Sequence, residues 1–403
     1  MKKIKVLFIH HATGIGGAPI SMLHLIKNLD KKRFDVKVMF ISNSNLVDYY
    51  RENGVEVEVL NAENKYFSLS KESSKINFLS YFRYTGIYRN WKKTATEIAP
   101  AFFAKHDFDI VHLNSHVLTS WAQAAHAMGK KVVMHNREAI SKGRLGIRYK
   151  IFKKLVEKNC DLVINISEDN KRRLGIKQRS VVVYNPVFIP QVYRTPMDNP
   201  GKKVQVLYLG GAAAFKGFNV IADSLQYLDK NVEVIFAGAY GRIGGEKTVK
   251  EKLVKLVKLI VYRDQYKSLP VINANANARI AGMVSNSLEY IDACDILITP
   301  FIVEHFSRPA IEAFAYGKPV IGSNVEGMDE IIDHNINGML VQKGNAKELA
   351  DAINFLAANP QRAREMGEEG RKKALRLFAA EKCARRVEQL YIDVLNNNIK
   401  EQN

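Results

Sequence analysis

Two glutamates eight positions apart, Glu304 and Glu312, form the sharpest chemical signal in the sequence. The run ILITP before them predicts a strand, and Pro309 suits the first position of a following helix. Glu304 then lies beyond the carboxyl end of the strand, where ligands bind in open α/β sheets. Glu312 lies in the first turns of the helix, where its carboxylate can accept hydrogen bonds from the hydroxyls of a ribose. The amides of the turn and the helix dipole favour a phosphate.

Short apolar runs alternate with helical patterns along the whole chain. Most of these runs are continuously apolar, which is typical of parallel strands buried on both faces. The predicted strands are Ile4–His10, Asp35–Ile41, Val55–Leu60, Ile110–Leu113, Lys131–His135, Leu162–Ile166, Val181–Tyr184, Gln205–Leu209, Val232–Ala237, Ala278–Ala281, Ile296–Thr299, Val320–Gly322 and Met339–Val341. The predicted helices include Ile20–Leu29, Val117–Met128, Phe218–Leu228, Ser287–Ala293, Pro309–Tyr316 and Ala346–Ala358. This alternation predicts βαβ units and an α/β fold of doubly wound parallel sheets.

The length of 403 residues suits two domains of similar size. The pattern breaks at Asn185–Lys203, a stretch with four prolines and no periodicity, which we interpret as the linker between domains. We therefore expect a first Rossmann-like domain over residues 1–190 and a second over 191–380. A C-terminal helix at about 381–403 is expected to pack back on the first domain.

The formal charge of +19 indicates an anionic partner. Phosphate-bearing substrates, an anionic membrane surface and nucleic acid all fit, as does a basic surface without a specific partner. The three cysteines, Cys160, Cys294 and Cys383, lie far apart and lack metal-ligand spacing, which favours a reducing cytoplasm over a disulfide framework. The N-terminal apolar run is too short for a signal peptide, and no run reaches the length of a spanning helix. We expect a cytoplasmic protein with peripheral contact at the inner face of the plasma membrane.

Two segments interrupt the α/β pattern. Residues Ile76–Trp91 interleave six aromatic residues with arginines, and Lys92 and Lys93 follow. Residues Glu246–Arg263 place apolar side chains on one helical face and lysines on the other. Both fit helices on an anionic membrane surface, and both also fit helices packed on their own sheet. We favour packing for the second segment. The composition of the first segment fits contact with membrane or acceptor and burial in the core equally well.

The stretch from Glu304 to Glu312 resembles the E-x7-E motif of the family 4 retaining glycosyltransferases, which have the GT-B fold. The resemblance continues in order along nearly the whole chain. The other matching stretches are Gly16-Gly17 with Ser21, Leu25 and Leu29, Cys160–Glu168, Asn185–Val187, Leu209–Gly217 and Gly338–Val341. It implies two Rossmann-like domains facing a cleft, with the acceptor bound by the first domain and the nucleotide sugar by the second.

This resemblance implies roles for individual residues. Glu312 would bind the nucleotide ribose, and Glu304 would contact donor sugar hydroxyls near the anomeric carbon. Lys216 would neutralise the diphosphate leaving group. His135, which ends a predicted strand, matches a family histidine that contacts the donor sugar.

The glycines of the first loop, Gly16 and Gly17, would let backbone amides approach the leaving phosphate. We also assign Ser307, Phe306 and Gly282 to the donor-binding site. The resemblance implies a nucleoside-diphosphate sugar as substrate, with no further cofactor and no metal. Its acceptor would be a glycan or a lipid-linked sugar, and nucleic acid is not expected as a partner.

The sequence departs from the family pattern at two places. The family pairs its lysine with an arginine five residues earlier, where this chain has Gly211. We hypothesise that Arg308 replaces that cation from the facing loop, because a guanidinium binds phosphate bidentately. Ser307 stands where the family usually has glycine, and it would narrow the pocket or cap the helix.

Three weaker patterns carry less chemistry. Pro19 occupies the third glycine position of a G-x-G-x-x-G loop, which disfavours a dinucleotide cofactor. Asp107-Phe108-Asp109 spells a D-x-D motif but precedes a strand, at the edge of the sheet away from ligands, so we interpret it as structural. His112 and His116 flank the carboxyl end of a strand, where they would line the acceptor cleft, although no spacing requires it.

The sequence thus predicts a retaining, metal-independent hexosyltransferase of cell-surface polysaccharide or glycolipid biosynthesis. In the front-face mechanism proposed for the family, the diphosphate leaves and the acceptor attacks from the same side. Lys216, Arg308 and loop amides would stabilise the departing charge, and the leaving phosphate would serve as the base. One alternative is a GT-B-fold sugar-nucleotide epimerase, which binds the same donor. Another is a basic nucleic-acid-binding protein, although the chain contains no recognition motif for nucleic acid.

Overall fold

Two parallel β-sheets organise the chain, one in each of two units. The computed structural model describes residues 2–62, 78–138, 140–142, 146–198, 201–240 and 263–399, and the side chains of 78–84 and 263–266 lie outside the description. One unit comprises Met1–Pro186 and Ala379–Asn403, and the other comprises Val187–Phe378. We refer to them as unit 1 and unit 2.

Unit 1 is built on a seven-stranded parallel sheet in the order β3-β2-β1-β4-β5-β6-β7. Its strands are β1 (Ile4–His10), β2 (Phe34–Phe40), β3 (Val57–Val59), β4 (Ile110–Leu113), β5 (Lys131–Asn136), β6 (Leu162–Asn165) and β7 (Ser180–Val182). Its helices are α1 (Gly17–Asn28), α2 (Asn45–Glu52), α3 (Phe78–Lys93), α4 (Ala99–Phe103), α5 (Thr119–Ala127), α6 (Ile147–Asn159) and α7 (Glu168–Leu174). A π-helical turn at Thr94–Ile98 joins α3 to α4.

Unit 2 repeats this plan with six parallel strands in the order β10-β9-β8-β11-β12-β13. Its strands are β8 (Val204–Tyr208), β9 (Val232–Ala237), β10 (Ala278–Gly282), β11 (Ile296–Thr299), β12 (Val320–Ser323) and β13 (Gly338–Val341). Its helices are α8 (Phe218–Ser224), α9 (Arg263–Ala274), α10 (Ser287–Ala293), α11 (Arg308–Ala315), α12 (Ala346–Ala358) and α13 (Pro360–Leu377). The doubly wound parallel sheets expected from the sequence are therefore confirmed.

The continuous apolar runs become central strands because both of their faces are covered. In β1, Leu7 and Ile9 pack into the core on one side of the sheet, and Val6 and Phe8 pack into the core on the other. All four side chains are fully buried. A strand with a continuous apolar run suits the centre of a sheet that is covered on both faces, and it does not suit a sheet with one face in water.

The last helix, α14 (Ala380–Leu395), belongs to unit 1 although it follows unit 2 in sequence. It contacts α1, and its buried side chains, among them Val387 and Leu390, join the core beside β1. Tyr391 of this helix is fully buried and reaches the polar ends of the strands, as described below.

The stretch interpreted as a linker is largely part of unit 2. The backbone N–H of Arg194 donates to Asp292, and its guanidinium lies 2.5 Å from Asp295 Oδ1. Asp295 also accepts from the backbone of Met197 and Gln205. The division between the units falls within the predicted linker, after Pro186, and the irregular segment that follows is fixed by hydrogen bonds to a buried carboxylate.

Two segments singled out in the sequence are only partly described. Glu246–Arg263 lies outside the described residues except for its last residue, which begins α9. In the aromatic segment, Trp91 is half-buried and its indole N–H donates to Thr119 Oγ1 at 2.9 Å. Tyr88 stacks on it with a 6.3 Å ring separation and is 63% exposed. Among the described residues, no helix combines the length and apolarity that a membrane crossing requires.

Candidate functional site

The order of the strands marks one ligand-binding edge in each unit. In unit 1 the chain direction across the sheet reverses between β1 and β4, and in unit 2 it reverses between β8 and β11. At such a switch point the loops leave in opposite directions and open a crevice at the carboxyl ends of the strands. The residues selected from sequence follow these strand ends closely, so we describe the two edges in turn.

In unit 2, the loop after β8 is a tight turn that only glycine can make. Gly211 has φ +58°, and a Cβ atom there would lie 2.7 Å from the carbonyl oxygen of Ala239. Gly217 has φ +84°, and a Cβ there would collide with the backbone of Pro300. An arginine at position 211, which the family pattern has, would therefore be strained and crowded. The fold of the loop, and not chance variation, excludes it.

Lys216 is brought against the loop that follows β11. The backbone N–H of Ile302 donates to the carbonyl of Phe215 at 3.0 Å, which joins the two loops. His305 stacks on Phe301 at 3.9 Å between ring centres. Desolvation and the nearby Lys216 ammonium lower the pKa of His305 to about 4, so the imidazole is neutral near pH 7. Burial also lowers the pKa of Lys216.

Glu304 and Glu312 stand on this same edge. Glu304 is half-buried in the loop between β11 and α11, next in sequence to His305. Glu312 is in the second turn of α11 and is 8% exposed. Burial raises its pKa, and the neighbouring Arg308 opposes that shift. Glu304, Glu312 and the loop of Lys216 thus lie at one end of the crevice between β8 and β11.

Arg308 forms an ion pair within its own helix. Its Nε lies 2.8 Å from Glu312 Oε1, with only 9% and 10% of the two side chains exposed. The spacing of four residues along α11 places both on one helical face. Arg308 therefore holds the Glu312 carboxylate in place, and its contact with the diphosphate stays a prediction.

Three further residues assigned to the donor site lie in the same unit. Ser307 is fully buried and caps α11, because its Oγ accepts from the Ala310 N–H. Phe306 packs edge-on against Phe378 in the interior of unit 2, so its ring is part of the core. Gly282 ends the edge strand β10 and accepts from the Gly238 N–H at 2.7 Å. The buried side chains of Ser307 and Phe306 support the loop from behind, and the assignment of all three residues to the donor site stays a prediction.

Two tyrosines that the sequence did not single out lie beneath the glycine turn. Tyr208 ends β8, with its ring directly under Gly210, and Tyr240 follows β9. Neither hydroxyl has a hydrogen-bond partner among the described residues. Burial raises the pKa of both phenols, so both are O–H donors at neutral pH. Their position at the end of a central strand is the only signal in the sequence.

In unit 1, the glycine loop leads into a helix whose first amides are open. Gly16 is the N-cap of α1 and Gly17 its first residue, and neither has a side chain that caps the helix. The glycines are exposed, and a Cβ at Gly16 would meet nothing within 4 Å. Free N–H groups and the helix dipole at this end suit an anion.

His135 is fixed in one tautomer by a buried polar cluster. Arg137 Nη2 lies 3.2 Å from His135 Nδ1, and a guanidinium can only donate. Nδ1 is therefore the acceptor, and the ring proton is on Nε2. Burial and Arg137 hold the pKa of His135 well below its usual range, so the ring is neutral. Its Nε2 has no partner among the described residues and is available to donate to a hydroxyl.

The rest of the cluster supports this arrangement. His112 Nε2 lies 3.2 Å from His135 Nδ1, and the Tyr391 hydroxyl lies 2.7 Å from His112 Nδ1. Both ring nitrogens of His112 therefore have partners inside the cluster, so this ring supports His135. Asn114 accepts from Arg137 Nε at 2.5 Å, which points its amide nitrogen at His10 Nδ1, 3.0 Å away.

The same argument gives His10 a proton on Nε2, and that nitrogen is also unpartnered among the described residues. Burial, with His11 beside it, lowers the pKa of His10 to about 3. His10 and His135 therefore present two neutral N–H donors from strand ends that flank β4. His116 is buried as well, 3.0 Å from Glu138, and faces Phe152.

The D-x-D segment lies at the opposite, amino edge of this sheet. Asp109 accepts from the Lys5 N–H at 2.8 Å, and Asp107 pairs with the Lys5 ammonium at 3.2 Å. Both carboxylates thus tie the starts of β1 and β4 together. Across the described ranges of the chain, no group of three or more His, Cys, Asp or Glu side chains is arranged to hold a metal ion.

The sequence matches known protein families over most of its length. Residues 15–189 match the family Glycosyltransferase Family 4, and residues 192–373 match Glycosyl transferases group 1. An uncharacterized glycosyltransferase of Methanocaldococcus jannaschii is 27% identical over 263 residues, 64% of this chain and 67% of that protein.

An N,N'-diacetylbacillosaminyl-diphospho-undecaprenol alpha-1,3-N-acetylgalactosaminyltransferase of Campylobacter jejuni is 25% identical over 260 residues, 60% of this chain and 63% of that protein. Among solved structures, Anabaena HepE in complex with UDP-glucose superimposes with a TM-score of 0.72 at 18% identity, covering 97% of this chain and all of that one. The two family matches fall in the two units and together cover most of the sequence. The chain belongs to the family 4 glycosyltransferases and has the GT-B fold.

Proposed function

We propose that this glycosyltransferase is a retaining, metal-independent enzyme that moves a sugar from a nucleoside-diphosphate sugar to a glycan or lipid-linked acceptor. One observation carries the proposal. The loop with Lys216 is hydrogen-bonded to the loop that leads through Glu304 to Glu312, at the switch point of the unit 2 sheet. A cation, an accessible carboxylate and a buried carboxylate at one strand edge match a diphosphate, a sugar and a ribose.

The proposed mechanism is electrostatic. Lys216 and the amides of the glycine turn stabilise the charge that develops on the leaving diphosphate. Glu312, held by Arg308, accepts from the ribose hydroxyls, and Glu304 accepts from hydroxyls of the transferred sugar. The Tyr208 and Tyr240 hydroxyls add donors beneath the turn, in place of the arginine that Gly211 excludes.

Unit 1 is proposed to act on the sugar and the acceptor. His135 is a neutral N–H donor, so it can bind a sugar hydroxyl without protonating it. The open amides at the start of α1 suit the leaving phosphate, which in this mechanism takes the proton of the acceptor hydroxyl. The reaction breaks the bond between the anomeric carbon and the phosphate oxygen, and it forms a bond from the same face of the sugar to the acceptor oxygen.

A lipid-linked acceptor is proposed from two observations. The net charge of +19 suits an anionic membrane or a diphosphate-bearing acceptor. The relative from Campylobacter jejuni acts, by its name, on an undecaprenol-linked sugar. Polysaccharide or glycolipid assembly at the cytoplasmic face of a membrane is therefore the proposed setting.

The test begins with thermal shifts against UDP, GDP, ADP and dTDP and their common sugars, which identifies the donor. Transfer from that donor to a panel of glycan and polyprenyl-diphosphate acceptors is then followed by NMR, with and without EDTA. We expect a product with the anomeric configuration of the donor and an unchanged rate in EDTA. An inverted product, a loss of rate in EDTA, or conversion of the sugar nucleotide without acceptor would contradict the proposal.

A further inference from the structure

The outward face of α6 has an unusual composition. Ile147 and Ile151, one helical turn apart, are 57% and 54% exposed. Exposed lysines alternate with them on the same face, at Lys150, Lys154 and Lys158. Single exposed apolar residues are common on soluble proteins. Here, however, helical spacing places two isoleucines and three lysines on one exposed face.

The core does not require this stripe. The opposite face of α6 provides Phe152 and Val156 to the interior of unit 1, where the helix packs against α5. An amphipathic helix whose only task is to cover a sheet has polar residues outside. In α6 a second apolar stripe lies on the outer face, exposed among the described residues, so its burial needs a further surface.

The charge around the stripe indicates what that surface is. Along the whole of α6 there are five basic residues and one acidic residue, Glu157. On the Lys153 flank of the helix is a cavity of about 400 Å³, whose lining includes Lys177 and Arg179. Lysines that extend beside half-submerged isoleucines are the arrangement of helices at anionic membrane surfaces, where ammonium groups meet lipid phosphates.

The location of the helix fits the chemistry of unit 1. Because α6 connects the parallel strands β5 and β6, it begins at their carboxyl edge. That is the edge at which His135 presents its free N–H. The exposed isoleucines are in the first half of α6, so they lie toward this edge. The exposed Tyr88, on a helix that is hydrogen-bonded to the start of α5, is on the same layer of helices.

We propose that unit 1 docks on an anionic lipid bilayer through the outward face of α6. Ile147 and Ile151 enter the boundary between headgroups and acyl chains, and Lys150, Lys154 and Lys158 bind the lipid phosphates. The docking does not depend on the sugar transfer proposed above; only its use, the presentation of a lipid-linked acceptor to the carboxyl edge of β5, rests on that function.

The test measures partition of the full chain onto vesicles by co-sedimentation. Vesicles of phosphatidylcholine alone are compared with vesicles that contain phosphatidylglycerol. The first variant, Ile147→Ser with Ile151→Ser, removes the apolar stripe. The second, Lys150→Gln with Lys154→Gln, removes two charges. Matched controls in unit 2 are Ile336→Ser, at a residue 56% exposed, and Lys230→Gln with Lys343→Gln, at exposed lysines.

We expect binding only to the anionic vesicles. The lysine variant should weaken it roughly 30-fold, since each lysine near such a surface contributes about fivefold. The serine variant should weaken it about tenfold or more, because apolar burial is lost, and the controls should bind as the wild type does. In a third variant, Ile151→Trp, the emission of the new tryptophan should shift to the blue on phosphatidylglycerol vesicles.

The proposal is overturned if the wild-type chain ignores anionic vesicles, if both α6 variants bind as well as the controls, or if light scattering shows a dimer that Ile147→Ser with Ile151→Ser converts to monomer. The last result would assign the stripe to a second copy of the chain. A protein that partitions as expected but transfers no sugar would leave the docking intact and refute the proposed function, so the two failures are distinguishable.

Discussion

Replacing Glu312 by glutamine separates the ligand role of this residue from its structural one. The carboxylate is 2.8 Å from Arg308 Nε, and both side chains are about nine-tenths buried. Removing its charge takes this carboxylate away from a buried guanidinium, which should lower the free energy of unfolding of unit 2 by about 3–5 kcal/mol. The lost charge should also cost about 1.5–3 kcal/mol at the ribose, which corresponds to a roughly 10- to 150-fold weaker Kd for the nucleoside diphosphate.

The double variant Arg308→Met with Glu312→Gln distinguishes the two effects. This variant removes the buried ion pair as a whole, so stability should return to within about 1 kcal/mol of the wild type. Nucleotide affinity should stay low, because the ribose ligand is still absent. Urea unfolding measures the first quantity and isothermal titration calorimetry the second.

The exposed pair Arg362–Glu365 supplies the control. Its atoms are 3.3 Å apart, with 40% and 49% of the side chains exposed, so Glu365→Gln should change stability by about 0–1 kcal/mol and leave binding unchanged. If the Arg308→Met and Glu312→Gln double variant regained wild-type affinity, Glu312 would be a structural residue and not a ligand. If Glu312→Gln bound nucleotide normally, the assignment would fail outright.

Three other predictions concern the remaining parts of the site. Gly211→Arg restores the arginine of the family pattern. Because φ is +58° at this position, the variant should be less stable by about 1–3 kcal/mol and should turn over no faster. A variant that is as stable as the wild type and faster would refute the steric argument. Tyr391→Phe removes a buried 2.7 Å hydrogen bond to His112 and should lower the free energy of unfolding by about 1–3 kcal/mol, measured by chemical unfolding. The control Tyr227→Phe, at an exposed tyrosine, should have no measurable effect. Equal effects of the two variants would contradict a stabilising role of the Tyr391–His112 hydrogen bond. The pKa values of His10 (about 3) and His305 (about 4) are lowered, so below pH 6.5 the unfolded chain binds protons that the folded chain does not. The free energy of unfolding should therefore fall from pH 6.5 toward pH 4, by up to about 1.4 kcal/mol per pH unit for each histidine. His305→Asn should flatten this profile, and an unchanged slope would show that the His305 imidazole is not held neutral.

Local patterns carry the fold, which is why much of it was predictable. The apolar runs predicted the strands of the described residues, because a parallel strand covered on both faces is apolar along most of its length. The position of Glu304 beyond a strand end and of Glu312 inside the next helix followed from one strand, one turn and Pro309. Helix α11 in fact begins one residue earlier than expected, at Arg308, which moves Pro309 to its second position.

What the sequence did not show depends on contacts between distant residues. Tyr391 meets His112 across 279 positions, and no local pattern links a C-terminal helix to a strand end. The ion pair between Arg308 and Glu312 is a local contact, one helical turn apart, that the spacing of the two residues allows. His10 ends β1, which pairs with the strand of His112, and its place at the end of an apolar run is a signal that the sequence does contain.

The central claim is that Glu304, Glu312 and Lys216 act on a single nucleoside-diphosphate sugar. A crystal structure of the full chain with the donor chosen by the thermal-shift screen tests it most directly. The account predicts the Glu312 carboxylate at hydrogen-bond distance from a ribose hydroxyl, the Lys216 ammonium on the diphosphate and Glu304 on the sugar. A donor bound elsewhere, or bound with any one of these three side chains directed away from it, would contradict the account.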